Sequence, residues 1–78
     1  MSTDTSAARE EQAKKFDAIV EEVTKGAEHA RIAAAHFRAG EVPRAGAHAL
    51  ALEGHLISAR RLLELVAVEH AARARTIL

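Results

Sequence analysis

The chain has 78 residues, a mass of 8.4 kDa and no cysteine, and its eleven basic residues balance eleven acidic ones. This composition excludes disulfides, cysteine-ligated zinc and thiol catalysis, and it provides no net charge to attract nucleic acid or an anionic membrane. A monomer this small buries a modest share of its surface, so we expect a second subunit to supplement its core.

No segment of the sequence resembles a targeting or membrane-spanning element. The first six residues are polar, and no apolar run exceeds four residues, whereas a transmembrane helix needs about 18. Together with the lack of cysteine, this predicts a cytoplasmic protein. The abundance of alanine and arginine favours a bacterial origin.

The first half of the chain is predicted to be one long helix. No proline interrupts residues 6–39, and Ser6 is a candidate N-cap that would end a disordered tail over 1–5. Apolar residues recur in steps of four and three, which is typical of one helical stripe. A break near Gly26, giving three helices instead of two, is the alternative. The stripe consists of Phe16, Val20, Val23, Ala27, Ala30, Ala34 and Phe37, and it is widened by Ile19 and Ala33.

A tight Gly-x-x-Pro turn is predicted at 40–42. Gly40 suits the left-handed position just beyond a helix end, and Pro43 suits the first turn of the following helix. A second helix is then predicted over about 43–76. Because the turn is short, the two helices should pair antiparallel, which makes the fold an all-α helical hairpin. The stripe of the second helix consists of Ala45, Ala49, Leu52, Leu56, Ala59, Leu63 and Val66.

The second helix carries a further apolar face, opposite its main stripe. A lone two-helix hairpin has one seam and cannot bury both faces of a helix. We therefore expect a homodimer that forms a four-helix bundle, although single exposed leucines need no partner. The predicted interface residues are Leu50, Ile57, Leu65 and Val68.

Four of the five histidines are arranged symmetrically about the turn. Facing residues of an antiparallel hairpin have a constant sum of residue numbers, and both His36 with His48 and His29 with His55 add to 84. Lys15 and Glu69 give the same sum and opposite charges. We therefore expect a ladder of paired histidines across the hairpin, on the shoulder of the apolar seam.

Three interpretations of this ladder remain open. The histidines, with Glu22 nearby, could bind zinc, nickel or copper, above all if a dimer brings more of them together. Against a dedicated site, the sequence has no His-x-x-x-His or Glu-x-x-His spacing. Alternatively, the imidazoles respond to pH, or they simply pack at the edge of the seam.

Neither nucleic-acid binding nor catalysis is expected. Arg60, Arg61, Arg73 and Arg75 form a sparse basic patch beside acidic residues, and no recognition-helix or phosphate-loop motif is present. No set of residues has the arrangement of a catalytic site, and no cofactor motif appears. The sequence thus predicts a non-enzymatic oligomerisation or adaptor protein that binds itself and another protein. Two alternatives are a metal- or cofactor-binding four-helix bundle and a small antitoxin-like or nucleic-acid accessory regulator.

Overall fold

The computed structural model describes residues 5–73, and two helices account for nearly all of them. Helix α1 spans Ser6–Arg38 and helix α2 spans Val42–Arg73, and the two pack antiparallel along their lengths. No strand occurs in this part of the chain. The predicted all-α helical hairpin is therefore confirmed. Residues 1–4 of the predicted tail and the predicted last turn of the second helix, at 74–76, lie outside the described residues.

Helix α1 begins where the sequence predicts, but its cap is the preceding residue. Thr5 has extended backbone geometry, and its Oγ1 accepts a hydrogen bond from the Ala8 N–H at 3.0 Å. The prediction of Ser6 as the N-cap is therefore wrong by one position. The helix continues through Gly26 without interruption, so the three-helix alternative is also wrong.

The chain reverses direction through a glycine-based helix end. Gly40 has a φ of 77°, a conformation that side chains with a Cβ rarely adopt. The Gly40 N–H donates to the Phe37 carbonyl at 3.1 Å, and the Glu41 N–H donates to the His36 carbonyl at 2.8 Å. This pair of bonds is the Schellman motif, which satisfies the last carbonyls of α1. Helix α2 starts directly afterwards, because the Glu41 carbonyl accepts the Ala45 N–H at 3.1 Å.

The two helices meet along one row of half-buried residues on each, which we call the seam. Both rows advance in alternating steps of four and three residues, which keeps one helical face against its partner. Small, polar and histidine side chains make up much of the seam. In α1 it contains Lys15, Ile19, Glu22, Gly26, His29, Ala33 and His36, and in α2 Ala45, His48, Leu52, His55, Ala59, Leu62, Val66 and Glu69.

Close approach of the helices depends on small residues. Among residues 5–73, Gly26, Ala45 and Ala59 are the ones that are buried, and Ala45 has no exposed surface. A Cβ added at Gly26 would lie 3.1 Å from the Leu52 Cδ1 and 3.6 Å from the His55 Cβ. A larger residue at position 26 would therefore push the helices apart at the middle of the hairpin.

The large residues of the apolar stripe predicted for α1 lie beside the seam, whereas Ile19 and Ala33 at the edge of that stripe lie in it. Val20 remains 63 % exposed and Phe37 57 % exposed, and Phe16 and Val23 are also exposed. Each of these residues follows a seam residue by one position, which is a rotation of about 100° around the helix. The prediction was wrong because periodicity identifies the most apolar face of a helix and cannot identify the element that covers it.

The same rotation applies to part of the α2 stripe. Ala45, Leu52 and Ala59 lie in the seam as predicted, whereas Leu56 and Leu63 are exposed one position beyond it. Because the helices are antiparallel, residues one position after the seam project to the same side of the hairpin. We call this side the flank surface. Its large residues are Phe16, Val20, Val23, Phe37, Leu56 and Leu63.

Neither helix, over the described residues, has a stretch long and apolar enough to cross a membrane. The whole chain exposes 6160 Å² of surface, whereas a compact monomer of its mass exposes about 4,600 Å². This large exposure accompanies an elongated shape, with extents of 60 × 24 × 15 Å. A single rod of two helices leaves most of each helix uncovered.

Candidate functional site

The structure brings the four predicted histidines into one continuous row along the seam. The His36 and His48 rings stack with centroids 5.5 Å apart, and the His29 and His55 rings do the same at 5.5 Å. These are the two pairs whose residue numbers add to 84. The His29 and His48 rings, 5.2 Å apart, join the two pairs into a single row. The row lies in the seam itself, not on its shoulder as predicted.

Two hydrogen bonds reinforce this row, and a carboxylate lies at each end of it. The Nδ1 atoms of His29 and His48 are 2.9 Å apart, and the Nδ1 of His55 is 2.7 Å from the Glu22 Oε2. At the turn, the Nδ1 of His36 lies 3.8 Å from the Glu41 Oε2. We call this arrangement the histidine string. In spatial order it contains Glu41, His36, His48, His29, His55 and Glu22.

Each histidine in the middle of the string contacts two residues of the other helix, seven positions apart. His29 contacts both His55 and His48, because side chains of antiparallel helices interleave instead of facing one partner each. Glu22 reaches His55 through the same interleaving. A constant sum of residue numbers identifies half of these neighbours and misses those offset by one heptad.

Glu41 is the member of the string that sequence reasoning did not find. The Schellman motif folds Glu41 back over the last turn of α1, since its N–H donates to the carbonyl of His36. This backbone bond brings its carboxylate near the His36 ring. Arg44 pairs with the same carboxylate at 2.7 Å. Glycine at position 40, directly before an acid, was the available sequence signal.

The central contact of the string requires a hydrogen on the Nδ1 atom of one ring and none on the Nδ1 atom of the other, which two neutral imidazoles of different tautomer satisfy. For the 2.9 Å contact to be a hydrogen bond, one Nδ1 must carry a hydrogen while the other offers its lone pair. If both Nδ1 atoms carried hydrogens, two N–H groups would point at each other. The string is therefore complete only while at least one of His29 and His48 is neutral.

Metal binding by one hairpin receives no geometric support. Among residues 5–73, no three or more His, Cys, Asp or Glu side chains are arranged to hold a metal ion. The facing Nδ1 atoms of His29 and His48 supply two ligands, fewer than zinc, nickel or copper sites ordinarily use. A site for one of these metals would therefore need ligands from a second copy, and that hypothesis stays a prediction.

Charged residues extend the seam toward its open end. The Lys15 ammonium donates to the Glu69 Oε1 at 3.1 Å, as the sum rule predicts, and the Gln12 Nε2 donates to the other oxygen of Glu69. Arg73 approaches the same carboxylate at 3.7 Å. The hydrogen bond from Lys15 is the main cause that lowers the pKa of Glu69 below its usual 4.5.

The arginines proposed for nucleic-acid contact are partly occupied within α2. The Arg60 Nε donates to the Glu64 Oε1 at 3.3 Å, and Arg73 pairs with Glu69. Arg75 lies outside the described residues. Phosphate binding would favour a row of free arginines along one helix face. The described part of α2 does not present such a row.

Besides the histidine string, the second candidate site is apolar. The four predicted interface residues are all exposed on the outside of α2, and Leu50 is 73 % exposed. We call them the back surface: Leu50, Ile57, Leu65 and Val68. A shallow groove between the back surface and the flank surface is lined by Glu53, Leu56, Ile57, Arg60, Arg61 and Glu64. Large apolar residues exposed together in this way mark interaction sites.

No known protein family, no curated protein and no solved structure matches this chain. The features of this hairpin that bear on function are the histidine string, the flank surface and the back surface.

Proposed function

We propose that this chain is a non-enzymatic oligomerisation protein that acts as a homodimer. Two hairpins pack through their flank surfaces to form a four-helix bundle, and the bundle presents its back surfaces to another protein. The observation that carries this proposal is the inverted distribution of apolar residues. Twelve large apolar side chains are exposed within residues 5–73, while the buried apolar residues there are the alanines 45 and 59.

The angular spacing of the two contact rows supports a four-helix bundle. In such a bundle each helix touches two neighbours, in directions roughly 90° apart. In both helices the seam and the flank surface are separated by one residue, about 100°. Each helix thus uses one contact row to pack against the other helix of its own chain. It uses the second row to pack against the second hairpin.

The interior of the resulting bundle would be apolar from Phe16 to Phe37 in α1 and from Ala45 to Val66 in α2. Residues that point midway between the seam and the flank surface face the bundle axis, and they recur in steps of three and four in both helices. They include the complete apolar stripe predicted for α2. The axial residues are Phe16, Ile19, Val23, Gly26, Ala30, Ala33 and Phe37 in α1, and Ala45, Ala49, Leu52, Leu56, Ala59, Leu63 and Val66 in α2.

The flank surface suits self-association better than the back surface does. Both helices contribute to the flank surface, whereas the back surface belongs to α2 alone. A dimer formed through the back surface would leave Phe16 and Phe37 in water. Arg61 and Glu64 lie beside Ile57 of the back surface and give it the charged edge that is typical of protein interfaces, and we assign this surface to a partner protein.

Matched double substitutions test this assignment. Leu56→Glu with Leu63→Glu places charge on the flank surface, and Leu50→Glu with Ile57→Glu does the same on the back surface. Sedimentation equilibrium should give wild type and the back variant twice the 8.4 kDa chain mass, and the flank variant one chain mass. Loss of the dimer in the back variant alone would show that the back surface is the homodimer interface, as the sequence predicts. A wild type that is monomeric at every concentration would overturn the proposal.

The remaining expectations from the sequence are not needed for this function. The cytoplasmic location and the bacterial origin stay predictions. The adaptor role requires a partner, and affinity purification with the dimeric back variant as the control would identify one. A protein retained by wild type and released by the back variant would define the partner, because both proteins carry the same flank surface.

A further inference from the structure

The histidine string occupies the half of the hairpin nearest the turn. It extends from Glu41 beside the turn to Glu22 near the middle of α1. The half nearest the open end is held differently, by Ile19, Leu62 and Val66 and by the Lys15–Glu69 pair. A change in the charge of the histidines would therefore affect one half of the seam directly and leave the contacts of the other half in place.

Few charges are available to compensate if the string becomes protonated. The ionisable groups that face the four histidines are Glu22 from α1 and Glu41 from the turn, and Arg44 of α2 already pairs with Glu41. The rings of His29 and His48 contact imidazoles on both sides and bond to each other. Full protonation would set four positive charges against two negative ones.

We propose that the histidine string makes closure of the turn-proximal half of the hairpin sensitive to mild acid. Histidine is the side chain that ordinarily changes charge between pH 5 and 8. When His29 and His48 are both protonated, their hydrogen bond is lost and two like charges remain at contact distance in a half-buried seam. The helices then separate from the turn to about Glu22, while the open end stays paired.

A consequence for assembly follows, and this part rests on the proposed function. The flank surface requires both helices at a fixed separation, since Phe37 lies on α1 and Leu56 on α2. Separation of the turn-proximal half moves these residues apart. Mild acid should therefore weaken the dimer as well as the hairpin, so that the protein releases its second copy in an acidified environment.

The test is thermal unfolding of the full chain by circular dichroism, from about pH 7.5 to about pH 5.5. This range lies above the usual titration of carboxylates, which is near pH 4. We expect the wild-type melting temperature to fall by about 10 °C across the range. The variant His29→Leu with His48→Leu should lose less than about a third of that, because leucine fills the same seam positions without charge.

His70→Gln provides the control, because His70 is exposed and lies outside the string, and glutamine removes its charge without adding an apolar side chain to the flank side of α2. It should reproduce the wild-type loss. An equal loss in wild type and in the His29/His48 variant, or no loss in wild type, would overturn the proposal. Stoichiometric zinc or nickel that raises the melting temperature at about pH 7.5 in wild type alone would also overturn it, in favour of a metal site.

A second measurement needs no variant at these positions. Nitrogen-detected NMR of wild type at about pH 7.5 should show one Nδ1 of the His29–His48 pair protonated and the other not. On acidification, amides of the turn-proximal half should lose hydrogen-exchange protection as the second ring becomes protonated. Unchanged protection with both rings protonated would overturn the proposal. Sedimentation of the same samples reports the dimer separately, so failure of the dimer is distinguishable from failure of the acid response.

Discussion

The seam and the flank surface of this hairpin have opposite compositions. The seam is made of histidine, glycine, alanine, three charged residues and a few aliphatic residues, and it carries hydrogen bonds from one helix to the other. The flank surface carries the phenylalanines and large aliphatic residues, and it faces water. In a stand-alone domain the large apolar residues would lie between the elements and the polar ones outside.

In the dimer that we propose, the seam determines register and the flank surface supplies most of the burial energy. Hydrogen-bonded polar contacts contribute modestly to stability, but they are specific to one alignment of the helices. Large apolar side chains contribute about 1.5–3 kcal/mol each when fully buried. A hairpin with this distribution is one half of a core, and its stability should depend on protein concentration.

The largest expected effect comes from removing a flank side chain. Phe37→Ala should weaken the dimer by roughly 30- to 150-fold, since a buried aromatic anchor is worth about 2–3 kcal/mol. Leu50→Ala on the back surface is the control, and it should leave the dimer constant nearly unchanged. The dissociation constant from sedimentation equilibrium measures both. Equal constants for wild type and Phe37→Ala would contradict the division between seam and flank.

A somewhat smaller effect is expected from opening the seam at its tightest point. Gly26→Leu forces a side chain against the Leu52 Cδ1, and overpacking of this kind costs about 1–3 kcal/mol. Gly54→Leu is the matched control, because nothing lies within 4 Å of a Cβ added there, and it should stabilise the helix slightly. Urea unfolding of the two variants distinguishes these outcomes. A Gly26 variant as stable as the Gly54 variant would show that the helices do not meet at this position.

The smallest effect concerns the open end of the seam. Lys15→Gln removes the main cause of the lowered pKa of Glu69, so that pKa should rise toward 4.5, as measured by carbon-detected NMR titration. A lowered pKa contributes stability above the usual glutamate range and loses it as the pH falls through the lowered value. Acid unfolding of the variant should therefore lack this contribution. Lys14→Gln, whose lysine pairs with Glu11 on the same helix, should leave Glu69 unchanged.

Local signals in the sequence were sufficient to predict the hairpin. Gly40 followed by Pro43 marks a helix end and a helix start, and uninterrupted periodicity marks the helices on either side. The pairing of His29 with His55 and of Lys15 with Glu69 could be predicted because antiparallel helices keep a constant sum of residue numbers. These features follow from helix periodicity and antiparallel pairing. They do not depend on which element packs against each helix face.

The seam itself could not be predicted from periodicity. The stripe containing Val20 and Phe37 is the most apolar row of α1, yet the row one position earlier contacts α2. Which row pairs within the chain depends on the size of residues such as Gly26, on interleaved contacts such as Glu22 with His55, and on whether a second copy is present. None of these is a property of one helix considered alone.

The most direct test of the account is an isotope-filtered NOE experiment on a dimer mixed from labelled and unlabelled chains. The account predicts intermolecular contacts between the rings of Phe16 or Phe37 in one copy and the methyl groups of Leu56 or Leu63 in the other. Intermolecular contacts confined to the methyl groups of Leu50 and Ile57, or no intermolecular contacts at all, would contradict the claim that the flank surface joins two copies of this chain.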